Sequence, residues 1–237
     1  MYKRQGNITV EDVYNSFSLG IGKDGLAGYP LIDVYLTGKE LKLAAEVDAS
    51  VSDFMTTARL YCSGLNFTFN PHRMILNKVT DCYLTREDGE RIEIQDDQLY
   101  RVVTDLYTGQ MLGSVMEMSY GLLKIEPKDK DGNPIENLED QAIMEGDKEL
   151  KAWDAIARYM KSFDDTDGNG ISNVPEYYET THGRKVVDES RNVIDLVKNP
   201  NKFSVMIIGI VLVLILIIIL LVVLIRKLIK KRRRKKK

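Results

Sequence analysis

The chain has 237 residues, with 33 Lys and Arg against 35 Asp and Glu. Ten of the basic residues fall between Arg226 and Lys237, where there is no acid, so residues 1–225 carry 23 positive against 35 negative charges. An acidic body with a short cationic tail excludes electrostatic binding of a nucleic-acid polymer by the folded part. Two Cys and two His are too few for a disulfide scaffold or a histidine-rich metal centre.

Thr9-Val-Glu-Asp12 fits a capping box, in which hydroxyl and carboxylate satisfy free N–H groups, and predicts a short helix over 10–17. Gly20, Gly22, Gly25 and Gly28 then mark a loop. Leu31 to Leu36 reads as a strand, and Thr37-Gly-Lys-Glu40 is a second capping box, opening a helix with Leu41, Ala44 and Ala45 on one face. Leu65, Phe67 and Phe69 alternate with Asn66 and Thr68, and Asn70-Pro71-His72 turns the chain toward a partner strand around Lys78 to Leu84, a hairpin. Asp88-Gly89 precedes alternating residues at Arg91 to Ile94, and Leu99 to Thr104 supplies a further strand.

From Lys148 to Phe163 the residues Leu150, Trp153, Ile156, Ala157, Met160 and Phe163 recur at three and four, predicting an amphipathic helix with Trp153 in the core. Helices and strands interleaved by short connections predict an α/β or α+β domain over 6–187, a mixed sheet with flanking helices. Cys62 and Cys82 fall near opposing positions of the proposed hairpin, and two buried thiols are the expectation over a cross-strand bridge.

Ser204 to Ile225 is an uncharged run of 22 residues. As a helix it is roughly 33 Å long, enough to cross a bilayer core of about 30 Å. The basic tail, residues 226–237, predicts a cytoplasmic C-terminus and residues 1–203 on the outer face, so that the chain is a single-pass protein of the cell membrane with the bilayer as one partner. A tail-anchored protein with a cytoplasmic domain is the rival and requires moving ten charges across the membrane. Residues 188–203 read as a juxtamembrane stalk. An exported domain needs a leader, and MYKRQGNITV has no apolar h-region. The expectation is a chain truncated at its N-terminus, with residues 1–5, which read like a translated sequencing adapter, as an artefact or cut start.

The pieces GNITVEDVYNSFSLG, LIDVYLTGKELKLAAE, SGLNFTFN and YRVVTDLY, in this order and spacing over residues 6–110, resemble the C-terminal domain of the 5'-nucleotidase family of metallophosphatases. The resemblance implies a two-domain surface hydrolase of nucleotide catabolism. In such a protein an N-terminal domain holds two divalent metals and the C-terminal domain grips the nucleotide, clamping its base between aromatic rings. It assigns substrate contacts to Leu19 and Gly20 in the loop after the first helix, and to Asp105 and Tyr107 after the Y-x-V strand. Leu19 is not aromatic, and TDLYTGQMLG stands where the family has G-G-D-G-[FY]. A retained scaffold for a different phosphate ester is therefore favoured over an adenosine clamp. His72 and His182 read as surface residues, and no dinuclear site can be built from this chain.

Asp165-Thr-Asp167-Gly-Asn169-Gly-Ile171-Ser-Asn-Val-Pro-Glu176 fits D-x-[DN]-x-[DN]-G-x5-E. Oxygens of Asp165, Asp167 and Asn169, the Ile171 carbonyl and the Glu176 carboxylate would wrap Ca²⁺. Ser172, Pro175 and the weak helical pattern from Tyr177 argue against a true EF-hand, and the run also resembles bacterial D-x-D-G-[DN]-G-I calcium repeats, which lack paired helices. A solvated Asp/Gly/Asn turn is the alternative to structural calcium. Two functions follow. One is the substrate-recognition half of a membrane-anchored metallophosphatase, inactive alone because its dimetal domain is missing. The other is a non-catalytic, calcium-stabilised surface module for binding or spacing.

Overall fold

The computed structural model describes residues 6–52, 54, 59–118 and 123–234. The chain divides into two units. One comprises Met1–Ala44 with Tyr83–Arg184, the other Ala45–Cys82 with Lys185–Lys237.

In the first unit, helix α1 (Val10–Phe17) starts at the expected capping box, with Thr9 and Asp12 exchanging side-chain and backbone hydrogen bonds. Strand β1 (Leu31–Thr37) alternates, burying Ile32, Val34 and Leu36. It pairs antiparallel with β5 (Leu99–Asp105), Leu31 opposite Asp105 and Thr37 opposite Leu99. Helix α2 (Gly38–Val51) opens on the second capping box: Glu40 accepts the Thr37 N–H at 2.8 Å, and the Thr37 hydroxyl accepts the Glu40 N–H at 3.3 Å. The other Glu40 oxygen takes the Lys128 ammonium at 2.6 Å and the Glu126 N–H at 3.0 Å. Burial opposes ionisation of Glu40, but the bonds from Lys128 and Thr37 outweigh it and hold its carboxyl below the usual range.

Helix α3 (Leu106–Met118) leaves β5 without a loop, and Leu106 packs with Ile32 and Val34 against Tyr29, Val102, Ile135 and Leu138. The final residues of β3 (Val79–Thr85) pair antiparallel with β4 (Arg91–Glu93). The helix expected over 148–163 is shorter. Strands β6 (Met144–Glu145) and β7 (Lys148–Glu149) pair antiparallel, and only α4 (Ala152–Lys161) is helical. The reason is backbone demand: Leu150 donates to Ile143 O and accepts from Leu31 N, both at 2.8 Å, which holds residues 148–151 extended. Trp153 is half-buried, its indole donating to Ala27 O and its ring edge-on to Tyr14.

In the second unit, β2 (Leu65–Phe69) runs parallel to β8 (Lys185–Val187), Phe67 opposite Lys185. The last turns of α2 place Ala45 and Ala49 against Phe67, with Phe69, Val79 and Cys82 around them. Glu46 receives the N–H groups of Lys78 and Val79 at 3.1 and 2.6 Å and the Ser50 hydroxyl at 3.3 Å. Residues 188–203, read as a stalk, carry β-sheet hydrogen bonding at their start, where Asp188 N–H donates to Phe69 O, and then α5 (Val193–Val197). Helix α6 (Lys202–Arg234) follows, and its part Lys202–Ile229 is long and apolar enough to cross a membrane. It outruns the expected 204–225 because Lys and Arg are good helix formers and let the tail continue the helix.

Glu46→Ala leaves the buried Lys78 N–H and the partly buried Val79 N–H without this acceptor and is expected to cost about 2 kcal/mol, measured by chemical unfolding. Burial pushes the Glu46 carboxyl above its ordinary value of 4.5. The folded state therefore binds this proton more readily, and the contribution is full below the unfolded value and declines as pH rises through the folded one. The stability gap between wild type and Glu46→Ala should accordingly narrow from pH 4.5 upward.

Candidate functional site

The loop between α1 and β1 is built on a charged cluster. Lys151 Nζ lies 2.7 Å from Asp24 Oδ1 and 2.6 Å from Glu149 Oε2, and the three side chains keep only 5%, 10% and 4% of their surface exposed, respectively. Remaining lone pairs are filled by backbone: Leu26 N–H on Asp24 at 2.9 Å and Lys23 N–H on Glu149 at 3.0 Å. For Lys151, burial works against the charge, yet the bonds to Asp24 and Glu149 prevail and raise its pKa. Gly22 lies against this pair so closely that a Cβ there would be 1.7 Å from Glu149 Oε2, so a side chain at 22 would displace the carboxylate and the ammonium.

The loop returns on itself, with Gly28 N–H donating to Gly20 O at 2.9 Å and Tyr29 N–H to Leu19 O at 2.8 Å. Gly20 has φ +78°, and a Cβ would stand 2.3 Å from Tyr29 Cζ, so the backbone rests directly on the tyrosine ring. Tyr29 in turn stacks on Tyr107, with centroids 6.3 Å apart and planes inclined by 22°. Gly20 and Tyr107, far apart in sequence, therefore meet at one ring. Leu19 and Tyr107 are 63% and 39% exposed, leaving apolar surface open beside that ring. Asp105 acts locally, its carboxylate accepting the Thr108 N–H at 2.9 Å and the Thr108 hydroxyl at 2.6 Å and so capping α3. Tyr29 went unread in the sequence, and an aromatic between Gly28 and Pro30 at the end of a glycine loop was the available signal.

On the outer face of the β1–β5 pair, Asp33, Tyr35 and Arg101 line a cleft of about 500 Å³ with residues 129–131 and 140–143. Arg101 is bound by Asp33 through contacts of 2.6 to 2.9 Å, and the Asp33 hydrogen bond raises its pKa. Asp129 is occupied by its own turn, accepting from Asp131 and Asn133 N–H at 2.9 Å.

In the 165–176 loop, Asp165 accepts N–H groups from Gly168, Asn169 and Gly170, which lower its pKa, and Asn169 Oδ1 accepts Ile171 N–H at 2.8 Å. Asp167 takes the Asn169 side-chain amide at 2.9 Å. Glu176 opens a 3-10 turn, Glu176–Glu179, rather than an exit helix. Among the described residues no three His, Cys, Asp or Glu groups lie together as metal ligands. His72 is exposed, its N–H on Asn70 Oδ1 at 2.9 Å, whereas His182 is half-buried, stacked on Tyr177 at 3.9 Å. Cys62 and Cys82 are thiols, each half-buried.

Residues 2–118 match the family described as "5'-nucleotidase, C-terminal domain". Among solved structures, a 5'-nucleotidase precursor from Thermus thermophilus is 18% identical, with a TM-score of 0.50 over 77% of this chain and 28% of its own. The NAD nucleotidase of Haemophilus influenzae is 21% identical, with a TM-score of 0.37 over 52% of this chain and 21% of its own. The chain thus spans under a third of the length of either. No curated protein matches. The mixed sheet with flanking helices is the fold that the family resemblance implied.

Lys151→Met strands two carboxylates in a nearly dry cluster. It is expected to lower stability by roughly 2–3 kcal/mol in a denaturant titration, less than for a deeply buried pair because Asp24 keeps some contact with water.

Proposed function

We propose that this chain is the substrate-recognition half of a cell-surface metallophosphatase that hydrolyses nucleotides or related phosphate esters. Its dimetal catalytic domain lies outside these residues, and α6 anchors it with the folded units outside the cell. The observation that carries the reading is the meeting of Gly20 and Tyr107 at the Tyr29 ring within the residues that match the 5'-nucleotidase C-terminal domain. Leu19 and Tyr107 offer an apolar and an aromatic surface for a flat base, which stacks favourably whatever its identity. Asp105 acts at one remove, fixing the start of α3 and with it the position of Tyr107.

The purified chain is expected to bind nucleotides without releasing phosphate, even with added divalent metal. Tyr107→Ala should weaken binding by about tenfold in calorimetry, in line with the usual contribution of one stacked ring. Metal-dependent phosphate release by the chain alone, or unchanged affinity in Tyr107→Ala, overturns the reading.

The proposal includes Ca²⁺ at Asp165, Asp167, Asn169 and Ile171, with Glu176 drawn in on binding, as a brace for the loop after α4. Terbium luminescence should appear with wild type and be lost in Asp165→Ala. Negligible signal from both removes calcium and leaves the turn held by its own hydrogen bonds.

A further inference from the structure

Helix α5 is apolar on the side where a soluble protein would be polar. Asp195 and Leu196 are half-buried, while Val193, Ile194 and Val197 are 71%, 70% and 64% exposed. At positions one and four apart these three occupy about 100° of the helix surface. Such a patch on a short element is costly in water and marks a contact.

What fixes the patch is Arg73. This buried guanidinium donates to Asp195 O at 2.5 Å, to Lys198 O at 2.8 Å and, through Nε, to Asn77 O at 2.7 Å, so the last carbonyls of α5 are tied to the 70–78 turn. Asn70 adds a bond to Ser190 O at 2.7 Å. Asn201 binds the same turn, its N–H on Asn77 Oδ1 at 3.3 Å and its side-chain amide on Leu76 O. The side-chain oxygen of Asn201 accepts the N–H groups of Phe203 and Ser204, both at 3.1 Å, and so starts α6. One turn therefore grips both the end of α5 and the beginning of the apolar helix, with only residues 198–201 between them.

We propose that α5 is a second membrane contact, lying in the headgroup region of a phospholipid bilayer with Val193, Ile194 and Val197 directed into it. The inference rests on α6 being a membrane span. Continuity with that span selects lipid as the occupant: a patch pinned to the helix entrance has the bilayer surface as its neighbour. The charge pattern agrees at both ends, where Arg191 and Lys202 flank the apolar residues, while Lys198 is paired with Asp195 at 2.8 Å. Arg73 then acts as a positioning residue that makes anchor and interfacial helix one rigid foot.

The test uses the full chain in vesicles of phosphatidylcholine and phosphatidylglycerol, plain or brominated in the upper acyl chain. Trp153, the single native tryptophan, gives the baseline. The fluorescence added by Ile194→Trp should fall roughly twofold in brominated lipid, as for a residue held at the boundary of headgroups and acyl chains. Leu214→Trp, within α6, should be quenched as well, and Ile171→Trp, on an exposed loop, should not. Quenching at 214 without quenching at 194 overturns the interfacial helix alone. Absence of quenching at 214 overturns the membrane span and this inference together. Equal quenching at 171 and 194 shows tryptophan seeking lipid by itself and also overturns the inference.

Discussion

One ammonium shared by two carboxylates holds the loop between α1 and β1 in place. The residues 18–30 contain four glycines and could sample many conformations, so their order must be imposed by partners outside the loop. Lys151 supplies this by binding Asp24 from the loop and Glu149 from β7. A buried ion cluster contributes little net stability compared with an apolar replacement, but it tolerates few alternative geometries, and that selectivity fixes where Gly20 meets Tyr29. The close approach of Gly22 to the same cluster shows that the loop's glycines serve contact as much as turning.

The second unit relies on another buried cation in a different way. The hydrogen bonds of Arg73 described above go to three backbone carbonyls, so its role is to end one helix and set the approach to the next. This substitutes for the missing intrahelical donors at the end of α5. The segment read as a stalk from its polar composition becomes part of the unit because β8 finds the edge of β2 and Arg73 finds the carbonyls that follow.

Legibility in the sequence tracked the distance between interacting residues. Both capping boxes were readable, since donor and acceptor stand three residues apart and the two helices begin there. Helix α3 was not, because Gly109 and Gly113 weaken its propensity and its cap, Asp105, belongs to the end of a strand. Helix α4 was overextended because Leu150 continues the apolar period although its backbone is committed to Ile143 and Leu31. Of the candidate site, Leu19, Gly20 and Tyr107 follow from the resemblance, while Tyr29, the ring at which Gly20 and Tyr107 meet, emerges only from the fold.

The sequence by itself determined the starts of α1 and α2, the alternation that buries Ile32, Val34 and Leu36, and the apolar length of α6, all set by residues within a few positions of one another. Only the tertiary structure decided which carboxylates share Lys151, which ring joins Gly20 to Tyr107, and which strand β8 completes. Glu149 is a near neighbour of Lys151, but Asp24 lies 127 residues from it, Tyr29 lies 78 from Tyr107, and Phe67 lies 118 from Lys185. Bringing them together depends on loop closure and on the shape of the packed core, and no local spacing of residue types encodes either.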